Sequence, residues 1–468
     1  MPRLRRWLPS SGGHALVAAF LLLPGCAVNR PPEEATAAAA AEVPEPPEAW
    51  TGEEVAGDVQ VGWIDSFADP TLAELVREAQ EHNKNLQAAA ANVERARALA
   101  RQAGAALKPT TGLSVGGARS GVTGSSNQTD QLTVGVDISW EVDVWGRVRA
   151  GRRGAVASAE AAAADFLFAQ YSLAAGVARG YFLAIEAGRQ EEVAQETVDA
   201  LEETLRIVSL RFENGMVGAQ DVSLAKSDLA TARDRLVTVQ GSRRDAQRAL
   251  ELLLGRYPAA ELEVRESLPT LPPGPPAGLP SEILERRPDL VAAERRVAAA
   301  FDAVDQARAA RLPAVQLTGS LGGASSGLSS LLDPANLAWR AGASLLAPLF
   351  DGGARREQVE IATADQKQSL ALYGDAALKA FGEVEKSLDQ GVVLSQRRGE
   401  LEIAAQEAKE AYRIADLRYR EGESDLLDVL AVRQRVLVAD TNLVSVERQL
   451  LDQRVSLHLA LGGSWQAE

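Results

Sequence analysis

Of the residue types that do chemistry most often, this chain holds one cysteine and three histidines. Cys26 follows Leu23-Pro24-Gly25, and before it run Arg3, Arg5 and Arg6 and then the apolar stretch 15–23. That stretch is too short to span a bilayer as a helix and suits the core of a signal peptide. The order matches a bacterial lipobox: cleavage before Cys26, then attachment of lipid to its thiol. The alternative is an ordinary signal peptide with an incidental cysteine. Ala27 follows, not aspartate, so the expected address is the outer membrane rather than the inner one. A lone cysteine excludes an internal disulfide framework. His14, His82 and His458 lie far apart without ligand spacing, so no metal site or cofactor is expected. No phosphate loop and no Gly-x-Ser-x-Gly elbow occur, so no catalytic residue is expected either. Asp221 and Asp428 remain. Both precede helical runs, where a carboxylate can cap the free backbone N–H groups.

The elements that would position these residues begin with composition. The 468 residues are 46% hydrophobic, 24% charged and only 5% aromatic, with net charge −15. That is a globular composition. An acidic chain is a poor generic binder of nucleic acid, so no nucleic-acid partner is expected. Removing residues 1–25 removes three arginines and brings the charge to −18. Alanine is abundant, which favours long, closely packed helices. Residues 27–58 are rich in Pro, Ala and Glu and read as an extended tether without a core. No uninterrupted apolar run of membrane-spanning length appears after the signal segment. The most apolar segment, 161–188, is broken by Asp165, Arg179 and Glu186. Any membrane crossing must then use strands.

The chain is written twice. Arg211-Phe212-Glu213-Asn214-Gly215, followed by Asp221-Val222, returns 207 residues later as Arg418-Tyr419-Arg420-Glu421-Gly422, followed by Asp428-Val429. Leu254-Gly255 returns as Leu461-Gly462, and Asn85-Leu86 and Pro109 have counterparts in Asp289-Leu290 and Pro313. The expected organisation is a signal peptide (1–25), a lipidated tether (26–60), a first repeat (63–256), a Pro-rich linker (257–280), a second repeat (281–462) and a short tail (463–468).

Within each repeat the period changes. Residues 71–107 and 282–311 predict helices that stop before Pro109 and Pro313. Then Leu132, Val134, Val136 and Ile138 alternate with small polar residues, the period of a strand. Leu113 and Val115 read as its partner. In the second repeat Val315, Leu317 and Leu321 pair with a strand from Trp339 to Ala347. Gly/Ser-rich segments, 116–127 and 322–330, are expected as loops. Each strand has about the ten residues a tilted membrane strand needs. From Arg147 to Phe212 no proline occurs, a helix of about 100 Å at ~1.5 Å per residue. Val198, Leu201, Leu205, Val208 and Phe212 form a coiled-coil seam, answered by Ala225, Leu229, Ala232, Leu236 and Val239 on the returning helix. Ala405, Ala408, Tyr412, Ala415 and Tyr419, and Val432, Val436, Ala439, Leu443 and Val446, repeat both seams. The predicted fold is mainly α with a small β part.

These segments, in this order, resemble the TolC-like outer-membrane factors, in particular the lipidated branch associated with resistance-nodulation-division efflux pumps. The resemblance is carried by Trp63-Ile64-Asp65-Ser66-Phe67 with Asp69-Pro70, by Ser139-Trp140-Glu141-Val142-Asp143-Val144-Trp145-Gly146-Arg147 and by Arg286-Arg287-Pro288-Asp289-Leu290. Pro348-Leu349-Phe350-Asp351-Gly352-Gly353 and Ala380-Phe381-Gly382-Glu383-Val384-Glu385 extend it. It implies a homotrimer in which each chain gives four strands to a 12-stranded outer-membrane barrel and long helices to a periplasmic tunnel. Four strands alone cannot close a usable barrel, so trimerisation also follows physically if the strands enter lipid. The partners implied are a periplasmic adaptor (membrane fusion) protein, an inner-membrane pump and outer-membrane lipid. The function implied is the exit channel of a tripartite efflux pump. An exit duct for type I protein secretion uses the same architecture, and a structural periplasmic coiled-coil lipoprotein is the alternative of another class.

The resemblance also assigns sites. Gly215 and Gly422 mark turns at the periplasmic tip. Asp221, Tyr419, Arg420 and Asp428 match positions at or near a constriction, where a residue repeated threefold forms a ring. N-capping remains open for both aspartates. Ala431 stands where some members carry a second acidic residue. Trp140, Trp145 and Phe350 fall at strand-to-helix junctions and are expected in the inner interfacial belt, with Trp339 nearer the outer surface. Packing within the equatorial region is the other reading of each tryptophan.

Overall fold

The computed structural model describes residues 33–52, 62–121, 123–124 and 128–464. Cys26 and the signal segment lie outside the described residues. In chain order the elements are α1 (Glu33–Glu42), α2 (Pro70–His82), α3 (Lys84–Ala105), β1 (Thr110–Gly121), β2 (Gln128–Val142), α4 (Arg147–Glu213) and α5 (Ala219–Leu254). Then follow α6 (Ile283–Arg286), α7 (Pro288–Ala309), β3 (Ala314–Ser325), β4 (Leu337–Leu346), α8 (Ala354–Glu421) and α9 (Leu426–Ala460). Two compact units emerge, and each draws on both repeats. One gathers Ala96–Ala159 and Arg295–Ala371 with the described part of Met1–Ala40; the other gathers Ala41–Arg95, Glu160–Glu294 and Leu372–Glu468.

The first unit holds one antiparallel sheet in the order β1-β2-β3-β4. Its central pairing, β2 with β3, joins the two repeats: Val136 faces Leu321 and Trp140 faces Leu317. The segments 116–127 and 322–330, expected as loops, are shorter as loops than that. β1 continues to Gly121 and β3 to Ser325. Close strand approach requires glycine at one of these positions: a Cβ on Gly322 would lie 2.3 Å from the Val134 carbonyl oxygen.

The second unit is helical. Its core joins Trp63, Phe67, Leu72, Tyr181, Phe182, Ile185, Leu250 and Leu254. α4 is the one described helix whose length and composition would suit a membrane span. Its residues Ala174, Val177, Ala178, Tyr181, Phe182 and Ile185 are buried in this protein core. Buried Asp69 anchors the core: one carboxylate oxygen accepts the Thr71 N–H at 3.0 Å and caps α2, while the other accepts the Tyr181 hydroxyl at 3.0 Å and Arg265 at 3.1 Å. His458 stacks on Trp63 with ring centroids 5.5 Å apart.

Three sequence expectations change here. The helices expected over 71–107 and 282–311 are each broken, at Asn83 and Arg287, which are equivalent positions of the two repeats. Asn83 caps α3 by accepting the Leu86 N–H at 3.0 Å, and Pro288 forces Arg287 out of the helical region. The segment 27–58 is not a tether throughout. Glu33–Glu42 is helical, and Trp50 is buried among Ala277, Ile283, Leu290 and Ala380. Thr51 and Gly52 donate their backbone N–H groups to Glu385 at 2.9 and 3.2 Å. The segment 257–280 carries no helix or long strand, yet it is fixed: Glu251 accepts the N–H groups of Ala260, Glu261 and Leu262.

Candidate functional site

Partners directly opposite in a sheet share a face. On one face lie Leu113, Val115, Leu132, Val134, Val136, Ile138, Trp140 and Val142, with Val315, Leu317, Leu321, Leu337, Trp339 and Leu345. On the other lie Ser114, Thr133, Asp137, Ser139, Gln316, Thr318, Ser320 and Ser344. The apolar face is uncovered: Leu113 is 74%, Val115 75% and Trp339 75% exposed. At about 3.4 Å per residue, Leu132 to Val142 covers about 34 Å; tilted by about 40°, that spans roughly 26 Å, the height of a barrel's apolar band. Beyond it the same face ends in an ion pair between Arg119 and Asp130 at 2.6 Å.

The aromatics expected at interfaces take three environments. Trp140 and Trp145 are half-buried and donate their indole N–H groups to the carbonyls of Leu107 (3.0 Å) and Pro313 (2.6 Å). Trp140 stands on the apolar face in the row of Leu317, one row from Val142. Trp339 stands on the same face, opposite Leu321 and two residues from the start of β4. Phe350, in the loop before α8, is 93% exposed. Just after it, Asp351 accepts the Gly353 N–H at 3.0 Å. Asp143 does the same work before α4, accepting the N–H groups of Val148 and Arg149.

In the second unit the long helices turn back at two glycines. Gly215 and Gly422 adopt φ of 69° and 85°, conformations that suit glycine. At each turn two backbone bonds close the helix in the same way: Gly215 and Met216 donate to Phe212 and Arg211, while Gly422 and Glu423 donate to Tyr419 and Arg418. The two turns share one apolar cluster of Val208, Ala225, Tyr419, Leu426 and Val429. Above it the seam continues as Val198, Leu201, Leu229 and Ala232. Phe212 departs from the seam, being 46% exposed, whereas its counterpart Tyr419 is 2% exposed.

Tyr419 lies within reach of the Asp221 charge. Burial pushes the Tyr419 phenol above its ordinary value; Arg211 opposes that shift and the Asp221 charge adds to it. Asp221 also accepts the Gly218 N–H at 3.2 Å, a capping interaction at the start of α5. Asp428 differs. The N-cap of α9 is Asp425, which accepts the Asp428 N–H at 3.0 Å, and the exposed Asp428 carboxylate has no partner among the described residues. Arg420 turns away to pair with Asp416 of its own helix at 2.8 Å. Ala431 lines an open groove with Leu201, Leu224, Ala232 and Arg433.

Arg211 is the residue that sequence reasoning passed over. Its guanidinium lies 4.2 Å from the centroid of the Tyr419 ring and donates to the backbone carbonyls of Tyr419 and of Arg420, the latter at 3.1 Å. The last carbonyls of a helix lack intrahelical partners and carry its negative dipole end, so an arginine there is well placed. The motif spacing exposed the pair of turns, but only the tertiary contact reveals which arginine crosses between them. Among the described residues no cluster of His, Cys, Asp or Glu is arranged to hold a metal.

A one-sided sheet too narrow to close, carried with paired helical hairpins, defines a membrane channel whose wall several copies complete. The comparisons with known proteins agree. The model of the outer membrane efflux protein family matches residues 75–256 and 279–463, and the chain belongs to that family. The pyoverdine export outer membrane protein OpmQ of Pseudomonas aeruginosa is 33% identical over 97% of this chain and 97% of its own. The cation efflux system protein CusC of Escherichia coli O6:H1 is 32% identical over 86% of this chain and 88% of its own. Among solved structures, the outer-membrane channel OprN superposes with a TM-score of 0.83 at 29% identity, covering 91% of this chain and 99% of that one. VceC from Vibrio cholerae gives 0.81 at 28%, covering 87% and 100%. The protein is thus an outer-membrane efflux channel.

Proposed function

We propose that the protein conducts cargo passively, with the sheet as its membrane wall and the helical turns as its closable end. The observation that carries this is the sheet: four strands, one face apolar and uncovered, the other Ser/Thr-rich. Three copies give twelve strands, with the apolar face toward lipid and the polar face toward a wet lumen. A purely structural helical lipoprotein has no use for such a sheet. Conduction needs no catalytic group, and choice of cargo then rests with the pump. Asp221, Tyr419, Arg420 and Asp428 are proposed to ring the narrow end, with Gly215 and Gly422 shaping its turns. Trp140, Trp145 and Phe350 are proposed at the inner interface and Trp339 toward the outer leaflet. The two repeats, 63–256 and 281–462, each supply one strand hairpin and one helical hairpin.

The test is reconstitution. Purified protein should run as a trimer in mild detergent and give discrete conductance steps in a planar bilayer. A monodisperse monomer that inserts into no bilayer would overturn the reading. Cys26 is proposed as the lipid anchor. Mass spectrometry of the mature N-terminus should find residue 26 first and diacylglyceryl-modified, and a free thiol or cleavage elsewhere rules that out.

A further inference from the structure

The two turns are copies of one motif, yet only one of them is stapled within a chain. Arg211 reaches from the end of α4 to the end of α8, covers the Tyr419 ring and binds the carbonyls of Tyr419 and Arg420. Its counterpart 207 residues on is Arg418, and the counterparts of Tyr419 and Arg420 are Phe212 and Glu213. Arg418 is exposed and has no side-chain partner among the described residues, while Phe212 stands 46% exposed at the other turn. So the chain leaves one unused arginine and one uncovered aromatic ring at a helix end, the two halves of the contact it makes once.

In a threefold ring the repeats alternate. Each first-repeat turn then has its own second-repeat turn on one side and a neighbour's on the other. We propose that Arg418 staples adjacent protomers: its guanidinium lies over the ring of the partner subunit's Phe212 and donates to the helix-end carbonyls there. The ring of turns then carries six staples of one design, three within chains and three between them. Arg420, held by Asp416 on its own helix, is not the donor between protomers. The physical basis is general: helix-end carbonyls carry the negative end of the helix dipole and can accept a second hydrogen bond, a guanidinium binds two of them at once, and its flat face suits an aromatic ring. A staple within a chain moves with that chain, whereas one between chains must break before the ring can widen. Arg418 is therefore the positioning residue whose release accompanies opening, a role that rests on reading the turns as the closable end.

Co-expressing a chain bearing Arg418→Cys with one bearing Glu213→Cys, then treating purified trimers with a short bis-maleimide, tests the contact. A covalent dimer is expected, above the background of protein carrying only the native Cys26. Arg211→Cys and Arg420→Cys on separate chains should give none, because that contact lies within one chain. No dimer from the first pair, or equal yield from both pairs, overturns the proposal. Arg418→Gln should also raise the mean conductance of reconstituted trimers about tenfold, and Arg418→Lys should restore part of the closure. A specific dimer with unchanged conductance would uphold the staple and count against the turns as the gate.

Discussion

The sheet and the helical body use the same residue types in opposite directions. In the sheet, Leu113, Val115, Leu321 and Trp339 lie exposed on one face, and the opposite face carries Ser and Thr. In the helical body, Trp63, Tyr181, Phe182 and Leu250 are fully buried, and the buried Asp69 carboxylate meets Arg265. Apolar exposure in the sheet is periodic and continuous across four strands, as a lipid-facing wall requires. At the helical turns it is confined to a few positions, Leu210, Phe212 and Met216 at one turn and Leu417 and Leu427 at the other, as a protein contact requires. Two regions with similar apolar content are thus fitted to two different solvents.

Charging the sheet's outer face should break this contrast most severely. Leu321→Arg sits amid the apolar band and should cost about 2–4 kcal/mol per protomer in lipid. The expected outcome is loss of trimer from the outer-membrane fraction. Thr318→Arg, on the opposite face of the same strand, should assemble normally and alter only conductance. Equal assembly of both variants would mean that neither face meets lipid.

The helical core can be challenged by a proton. Burial, with Arg454 adding to it, pushes the His458 imidazole down to about 4. The folded state therefore binds fewer protons than the unfolded one between that value and the ordinary ~6.5. Its contribution to stability is present above ~6.5 and is lost as pH falls through that window, up to about 3 kcal/mol by pH 4. Thermal unfolding should show this slope, and His458→Phe, which keeps a ring against Trp63, should flatten it. A slope unchanged in the variant would assign the acid sensitivity elsewhere. The third effect is smaller. Arg211→Gln removes two charge-assisted contacts and a ring contact, so about 2 kcal/mol should be lost between the two turns. Hydrogen exchange should then rise at residues 208–216 and 415–423 while the core around Tyr181 keeps its protection.

Much of this architecture was legible in the sequence, because it is periodic. Alternation over Leu132–Ile138 found β2, the absence of proline found α4, and the 207-residue offset paired the two turns. What escaped depends on single side chains reaching across the chain. Nothing in local spacing says that Asp69 joins Tyr181 to Arg265, or that Trp50 docks near Ala277 and turns an apparent tether into part of the body. Glycine-rich stretches read as loops because glycine is poor in strands generally, but facing backbones in this sheet leave no room for a larger residue at Gly322. The candidate turn residues stand out in the sequence as a motif, but their contacts do not: Arg211 crosses between turns while Arg420 pairs along its own helix.

The smallest effects separate two roles that sequence left open for the turn aspartates. Asp221 accepts a backbone N–H at the start of α5, so Asp221→Ala should cost about 1 kcal/mol, read as a lower melting temperature. Asp428 performs no such task, since Asp425 caps α9 and the Asp428 carboxylate is exposed. Asp428→Asn should leave melting unchanged. If three Asp428 carboxylates ring the narrow end, the same substitution weakens block by added divalent cations and changes conductance at low salt, where screening is least. A capping role lowers stability without touching cation block, and a ring role does the reverse. Asp428 should follow the second pattern alone, and Asp221, which caps α5 and is proposed for the ring, should show both losses. If Asp428→Asn lowers melting and spares cation block, the ring must be built from other residues.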